Sequence, residues 1–289
     1  VVFGIMNPNF FSSRNLPNLL RQTAPFLIIG IGQSYVLITG NIDLSIGSVV
    51  GMSCMISATM MTKGVNPWVA VLFTLVCCLA VGAINGVLVA LFKLPPFIAT
   101  LGTMTIARGI AQIANNNYNT DSIGEAGQLF RNIFYSGRIN IGGAESPVFV
   151  IYSGVIVAIV LWIIFNFLLS RTRTGRHIYA IGSNVEAAKL SGVSVLATTT
   201  KVYLVSAFCA CVVGLITCAT TGMGTMDAGN SYEMYAVAAS VIGGVSTLGG
   251  QGILLGTVIG ASIWAVLQNG LSLANAPVAI HNIVLGIIV

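Results

Sequence analysis

The stretch RTRTGRHIYAIGSNVEAAKLSGVSV, residues 171–195, is the one dense polar segment of an otherwise apolar chain. It lies between two long apolar runs, residues 148–169 and 202–220, and four of its five charged side chains are basic. A polar segment so placed is typical of a loop between membrane spans, and an excess of Arg and Lys marks the cytoplasmic side. The stretch therefore predicts a membrane protein and orients its spans.

The composition of the whole chain indicates the same class. Only 7% of the residues are charged and 56% are hydrophobic, with a mean hydropathy of +0.93. A soluble domain carries about 25% charged residues, so this chain must have lipid as much of its solvent. The net charge of +5 is then a topology signal, and it does not indicate a nucleic acid partner.

Apolar runs predict membrane spans near residues 24–39, 45–62, 67–92, 97–114, 148–169, 202–221, 232–247, 253–272 and from 278 onward. The segment before Asn7 resembles the end of another span, so we expect about ten spans in the full chain, with the first span and the C-terminus truncated. The predicted fold is an all-α polytopic transmembrane helical bundle, a single domain over residues 1–289. The two halves would have opposite orientations, which predicts an inverted-repeat arrangement.

The charges of the two longest polar segments differ in sign. Residues 170–201 hold five basic side chains and one Glu, a net charge of +4. Residues 115–147 hold two basic and three acidic side chains, a net charge of −1: Arg131, Arg138, Asp121, Glu125 and Glu145. We therefore place 170–201 in the cytoplasm and 115–147 outside. The outer segment is expected either to receive a soluble binding protein or to be simply solvated.

The chain lacks the usual signs of an enzyme or a metal protein. All six cysteines lie in apolar runs, and neither His177 nor His281 has a Cys or an acid at ligand spacing. The glycine-rich run 243–252 lacks the Lys-Ser/Thr of a phosphate-binding loop. The sequence thus predicts no metal, no catalytic residue and no bound nucleotide.

Within the polar stretch, Glu186 to Gly192 (EAAKLSG) predicts a short helix. Ser183 or Asn184 would cap its N-terminus, and Gly192 would end it. Ala187 and Ala188 give it a thin face against which another protein could pack closely. An ordinary amphipathic helix lying at the membrane interface is the alternative.

Asp43 lies between two apolar runs, in Gly40-Asn41-Ile42-Asp43-Leu44-Ser45. An acid is costly where it faces lipid and usually marks water, a partner or a pathway. Asp43 or Ser45 could cap the next helix, contact a solute, or take part in a gate or an ATPase contact, and spacing alone leaves these roles open.

Other polar and aromatic residues of the spans could line a pathway or simply join helices. Arg108 needs an acceptor, for which Glu233 and Asp227 are candidates. The predicted pathway residues are Asn41, Asp43, Ser45, Asn85, Phe97, Thr100, Thr103, Tyr232 and Glu233.

The pattern E-A-A-x-x-x-G in a cytoplasmic loop resembles the signature of the membrane subunits of bacterial ABC importers. The chain is similar, more specifically and over nearly its whole length, to the ribose-type sugar permeases, although Asn41 stands where that family usually has Gly. The matching stretches, in order, are Asn41–Gly47, Pro96–Gly102, Thr174–Gly192, and Tyr232-Glu233 with Val241–Ser246.

The resemblance implies that the chain is the permease subunit of an ATP-driven importer in the bacterial inner membrane. The importer would move a monosaccharide, which is a ribose-like pentose or a hexose. The resemblance also implies three protein partners: an ATP-hydrolysing subunit that binds ATP and Mg, a sugar-binding protein, and a second copy of this or a similar permease. The residues expected to couple to the ATPase are Ser183, Asn184, Glu186, Ala187, Ala188, Lys189 and Gly192.

Two rival classes make different predictions. A transporter driven by an ion gradient would need paired acids at broken helices, and only Asp43 and Glu233 qualify. A membrane enzyme would need His, Asp or Ser clusters at one depth, and the sequence has none.

Overall fold

The computed structural model describes residues 8–12, 15–124, 127–141 and 149–288. The expectations for the segment before Asn7 and for Glu125 and Glu145 fall outside these residues. Five described helices are long and apolar enough to cross a membrane, and two shorter helices are also apolar. The prediction of an all-α polytopic membrane protein is confirmed.

The helices, in chain order, are α1 Asn15–Ile38, α2 Ile46–Thr62, α3 Pro67–Ala90, α4 Pro96–Ala114, α5 Gln128–Arg131, α6 Ser153–Arg171, α7 Arg173–Ser183, α8 Val185–Leu190, α9 Val195–Thr221, α10 Tyr232–Ile242, α11 Leu254–Leu273 and α12 Val278–Ile288. A 3₁₀ turn, Pro8–Phe11, precedes α1, and a π-helical turn, Asn132–Ser136, follows α5.

Local sequence explains several of the helix ends. Asn66 accepts a hydrogen bond from the Trp68 amide at the start of α3, where Pro67 occupies a position that needs no N–H donor. Gly222 ends α9 in the left-handed conformation, with φ of 71°, and a glycine adopts this conformation without steric cost.

The centre of the bundle is formed by α9, packed against α1, α2 and α3. In its most apolar stretch α9 is 78% buried, whereas α3 is 33% buried and α4 and α6 are each 28% buried. The exposed residues of α3, α4 and α6 are largely Leu, Ile, Val and Phe. These three helices therefore form a perimeter suited to lipid, and α9 is an inner helix.

The predicted span 24–39 begins nine residues earlier in the structure, at Asn15 of α1, and three other predicted spans also differ clearly in their bounds. The run 148–169 begins with a strand, β2 (Phe149–Tyr152), which pairs antiparallel with β1 (Arg138–Ile141), so α6 starts only at Ser153. A short apolar run does not distinguish a strand from the start of a helix. The predicted 202–221 helix starts seven residues earlier, at Val195, because hydropathy alone does not detect a polar first turn. The third, α10, ends at Ile242 and not at 247.

Two non-helical segments interrupt the bundle and position the candidate site. We call residues 39–45, between α1 and α2, the first break; the second break is residues 222–233, which are the non-helical residues between α9 and α10 together with the first two residues of α10. The two breaks meet, because the backbone of Gly229 packs against Gly47 at the start of α2. From this meeting point α2 runs toward the C-terminal end of α9, and α10 runs toward the polar segment 170–201, so the two helices point in opposite directions.

Candidate functional site

The polar segment 170–201 contains two consecutive helices, α7 and α8, and each has its own N-terminal cap. The Thr172 hydroxyl accepts from the Gly175 amide at the start of α7, and Asn184 Oδ1 accepts from the Ala187 amide, at 2.9 Å, at the start of α8. Ser183 donates to the Tyr179 carbonyl, so the cap of α8 is Asn184. Gly192 has a φ of 81° directly after the helix, which is the stop that its position predicts.

Nearly all of α8 is exposed. Of the predicted coupling residues, only Ala188 is buried, and it packs this short helix against the rest of the chain. Leu190, at the end of α8, has 91% of its surface exposed. The helix therefore presents its acidic, basic and apolar side chains outward from the bundle.

The two charged residues of α8 form an ion pair with each other. Lys189 Nζ lies 2.6 Å from Glu186 Oε1. The hydrogen bond from Lys189, followed by its positive charge, lowers the pKa of the Glu186 carboxyl. The carboxylate is therefore ionised at neutral pH, and it also lies at the helix N-terminus, where a negative charge is favourable.

Helix α7 connects α8 rigidly to the transmembrane bundle. Gly182 packs so closely on the Ile38 carbonyl and the Gly250 amide that a Cβ atom would have no room. The Gly250 amide donates to the Ile38 carbonyl at 2.8 Å, and the Tyr179 hydroxyl donates to the Gly252 carbonyl at 2.6 Å. A displacement of α8 would thus reach the end of α1, directly before the first break.

The first break is organised around Asp43, which is only 2% exposed. Its Oδ1 accepts from the Ser45 amide at 2.9 Å and from the Ser45 hydroxyl at 2.6 Å. Its Oδ2 accepts from the Ser206 hydroxyl of α9 at 2.6 Å. The carboxylate therefore closes a turn directly before α2 and joins this turn to the central helix, whereas no side chain caps α2 itself.

The network continues through two further predicted residues. Asn85 of α3 donates to the Ser45 hydroxyl at 2.9 Å, and Thr103 of α4 donates to Asn85 Oδ1 at 2.6 Å. Asp43, Ser45, Asn85 and Thr103, which the sequence suggested separately, are thus in one hydrogen-bonded chain that joins the first break, α3 and α4. Their contact with a solute stays a prediction.

Two residues that bond to the first break were not predicted from the sequence. Ser206 bonds Asp43, and Tyr203, one turn earlier on α9, donates its hydroxyl to the Ile42 carbonyl at 3.1 Å. The available signal was their spacing of three on an otherwise apolar helix, because polar groups buried among apolar ones need partners.

Three other predicted pathway residues lie outside the network. Asn41 donates to the Thr39 hydroxyl at 2.8 Å, and Thr100 donates to the Pro96 carbonyl of its own helix. Phe97 is 55% exposed on the first turn of α4. Asn41 lies in the first break beside Asp43, but among the described contacts none of these three side chains hydrogen-bonds the Asp43 carboxylate.

The second break contains the remaining predicted residues and opens on cavities. Glu233 lies against the backbone of Gly47 and lines a cavity of about 290 Å³ together with Ser48, Arg108 and Gln112. Arg108 donates to the carbonyls of Met226 and Ala228, at 3.3 and 2.9 Å, so the backbone supplies the acceptors that Glu233 and Asp227 were candidates to provide.

Tyr232, the other predicted residue of the second break, packs among Phe26 and Tyr235 at ring-centroid distances of 6.2 and 5.6 Å. It lines a separate, larger cavity. Elsewhere in the part of the chain that the structure describes, no three His, Cys, Asp or Glu side chains come together as a metal site.

Comparison with known proteins shows the family to which the chain belongs. The model of the family described as branched-chain amino acid transport system / permease component matches residues 15–289. The chain belongs to this family and is therefore a transport subunit, a multi-pass protein of the bacterial inner membrane and not an enzyme. Such permeases work with a separate ATPase and a substrate-binding protein.

Among its relatives are permeases named for sugars. The chain is 36% identical to the D-allose transport system permease protein AlsC of Escherichia coli, over 99% of this chain and 84% of that protein. It is 35% identical to the ribose import permease RbsC of Bacillus subtilis, over 100% and 86%. It is 33% identical to the galactose/methyl galactoside import permease MglC of Haemophilus influenzae, over 94% and 84%. No solved structure matches the chain.

Proposed function

We propose that this chain is the permease subunit of an ATP-driven importer that carries a monosaccharide, a ribose-like pentose or a hexose, into the cell. Relatives named for ribose, D-allose and galactose support the solute class. The single structural observation behind the coupling is α8, an exposed helix that α7 fixes to the end of α1.

In this proposal α8 docks on the ATP-hydrolysing partner, which holds ATP and Mg. Glu186, Ala187, Lys189 and Leu190 are exposed and available for this contact. Leu190 is the apolar anchor, since a nearly fully exposed leucine gains most from burial against a partner. Closure of the ATPase would move α8, and α7 would transmit the movement to Ile38 and the first break.

The outer side would receive the sugar-binding protein on the segment around residues 115–147, and a second copy of this or a similar permease would complete the transporter. These partners agree with the charge asymmetry of the two polar segments and with the general composition of such systems.

The test is sugar uptake by the complete complex in proteoliposomes with ATP on the side that α8 faces. Glu186→Arg should reduce ATP-driven ribose uptake about tenfold or more, since the loss of a docking contact worth ~1.4 kcal/mol has that effect. Ser170→Arg also adds a positive charge on the cytoplasmic side, at an exposed position outside α8, and should leave uptake near wild type.

Uptake that is unchanged in Glu186→Arg would disprove the docking role of α8. Uptake that continues without ATP and collapses when ion gradients are dissipated would identify an ion-driven transporter and contradict the proposed function.

A further inference from the structure

A cavity of about 450 Å³ lies between the N-terminal half of α1, the last turns of α9 and the start of α10. Phe134, Tyr135 and Gly154, from the outer segment and the start of α6, close its outer side. A volume of this size falls within the range of pockets that enclose small ligands. It is separate from the cavity at Glu233, although Asn230 lines both.

The lining combines aromatic rings with neutral polar groups. None of the described residues that line it is acidic, and Arg21 is the one charged residue among them. A neutral ligand with hydroxyl groups fits such a surface, because amides and hydroxyls bond its oxygens and an aromatic ring covers its apolar face. The neutral polar lining residues with side-chain amides or aliphatic hydroxyls are Gln22, Thr217, Thr220, Thr221, Asn230 and Gln268.

Part of this hydrogen-bonding capacity is unused. Within the described residues, neither the side-chain amide of Gln268 nor the hydroxyl of Tyr235 has a hydrogen-bond partner. Thr217 and Thr220 donate to carbonyls of their own helix, at 2.8 and 2.7 Å. The Thr217 side chain is also hydrogen-bonded to Tyr232, so of these two threonines it is Thr220 whose oxygen keeps free lone pairs that can accept from a ligand.

The charged residue of the cavity is engaged elsewhere. The Arg21 guanidinium lies 5.0 Å from the ring centre of Tyr135 and 4.8 Å from that of Tyr152. This stacking attaches the outer segment to α1 over the cavity. The guanidinium is thereby held against these two rings, and amides and hydroxyls make up the rest of the polar lining.

We propose that this cavity is a monosaccharide-binding site on the outer side of the protomer. The sugar hydroxyls would bond Gln268, Asn230 and the α9 threonines, and the sugar ring would lie against Tyr232 or Tyr235. Asn230 also lines the cavity at Glu233, so a sugar that leaves this site would next enter that cavity. The inference deepens the proposed function and rests on it.

The site is tested by thiol protection on the complete complex in proteoliposomes. Thr220 is exposed and lines the cavity, so Thr220→Cys should react with a membrane-impermeant maleimide added outside, over the background of the wild-type cysteines. D-ribose, D-allose or D-galactose at ten times its dissociation constant should slow the reaction about tenfold, since only empty sites react. Ser136→Cys, which is exposed on the outer segment but does not line the cavity, should show no protection.

Two further variants test the chemistry of recognition. In the Thr220→Cys background, Gln268→Leu should weaken protection by about tenfold in sugar concentration, because the amide contacts the sugar directly. Gln128→Leu removes an exposed amide outside the cavity and should leave protection unchanged.

The possible failures are distinguishable. If no sugar protects Thr220→Cys while ATP-driven uptake proceeds, the site is wrong and the proposed function stands. If wild type transports no monosaccharide at all, the proposed function fails. A thiol at 220 that is unreactive without sugar, or is protected only by lipid or detergent, would also overturn the site.

Discussion

The two breaks meet inside the bundle, but their acidic residues differ in burial and in hydrogen bonding. In the first break, Asp43 is buried and its carboxylate accepts three hydrogen bonds from Ser45 and Ser206. In the second break, Glu233 lies at the wall of a cavity and Asp227 is exposed. The first break is therefore closed by its own hydrogen bonds, whereas the second break borders a cavity.

The largest expected effect is a loss of folding stability when the hydrogen bonds of Asp43 in the first break are removed. Asp43→Ala leaves buried donors on Ser45 and Ser206 without an acceptor, which should cost about 2–4 kcal/mol of folding stability. The measurement is the thermal unfolding midpoint of the purified protein in detergent. Asp227→Ala removes an exposed acid and should change stability by less than ~0.5 kcal/mol. Equal losses in the two variants would remove the distinction between the breaks.

The next largest effect is a reduction of sugar uptake when Glu233, in the second break, is substituted. Glu233→Gln keeps the size of the side chain but removes its charge beside Arg108 in the cavity. We expect sugar uptake to fall about fivefold, equivalent to ~1 kcal/mol of barrier, with an unfolding midpoint close to wild type. Asp227→Asn is the matched control at the same break. A Glu233→Gln protein that unfolds early but transports normally when folded would show that Glu233 is structural like Asp43.

The smallest effect is expected at the far end of the Asp43 network. Thr103→Val removes the donor to Asn85 Oδ1, a buried interhelical hydrogen bond worth about 0.6 kcal/mol. Thr105→Val removes an exposed hydroxyl that bonds only its own helix and should leave the unfolding midpoint unchanged. Should Thr103→Val be as damaging as Asp43→Ala, the network would be one cooperative unit and not a chain that weakens with distance.

Much of this arrangement could be predicted from the sequence. Apolar runs located most spans, because hydropathy is an average over many residues. The orientation that the basic excess of 170–201 indicates stays a prediction. The short helix α8 followed from local rules: Asn184 caps it and Gly192 ends it. These features depend on neighbours in the chain, which the sequence shows directly.

The rest depends on contacts between distant residues. Whether Asp43 meets solute or protein was decided by Ser206, which lies 163 residues away. The acceptors of Arg108 are backbone carbonyls, which every residue provides and no pattern reveals. Nothing in the order of residues indicated that α1, α9 and α10 would enclose a cavity.

Water access at the two breaks is the most direct test of the contrast between them. In proteoliposomes, a membrane-impermeant maleimide added outside should label Asn230→Cys, which is exposed and lines both cavities. It should fail to label Ser206→Cys, whose side chain is fully buried against Asp43. Asn230→Cys must first show a wild-type unfolding midpoint, and Ser206→Cys, which weakens the bond to Asp43, must unfold in one cooperative transition above the labelling temperature. Comparable labelling of the two thiols would contradict a sealed first break and an open second one.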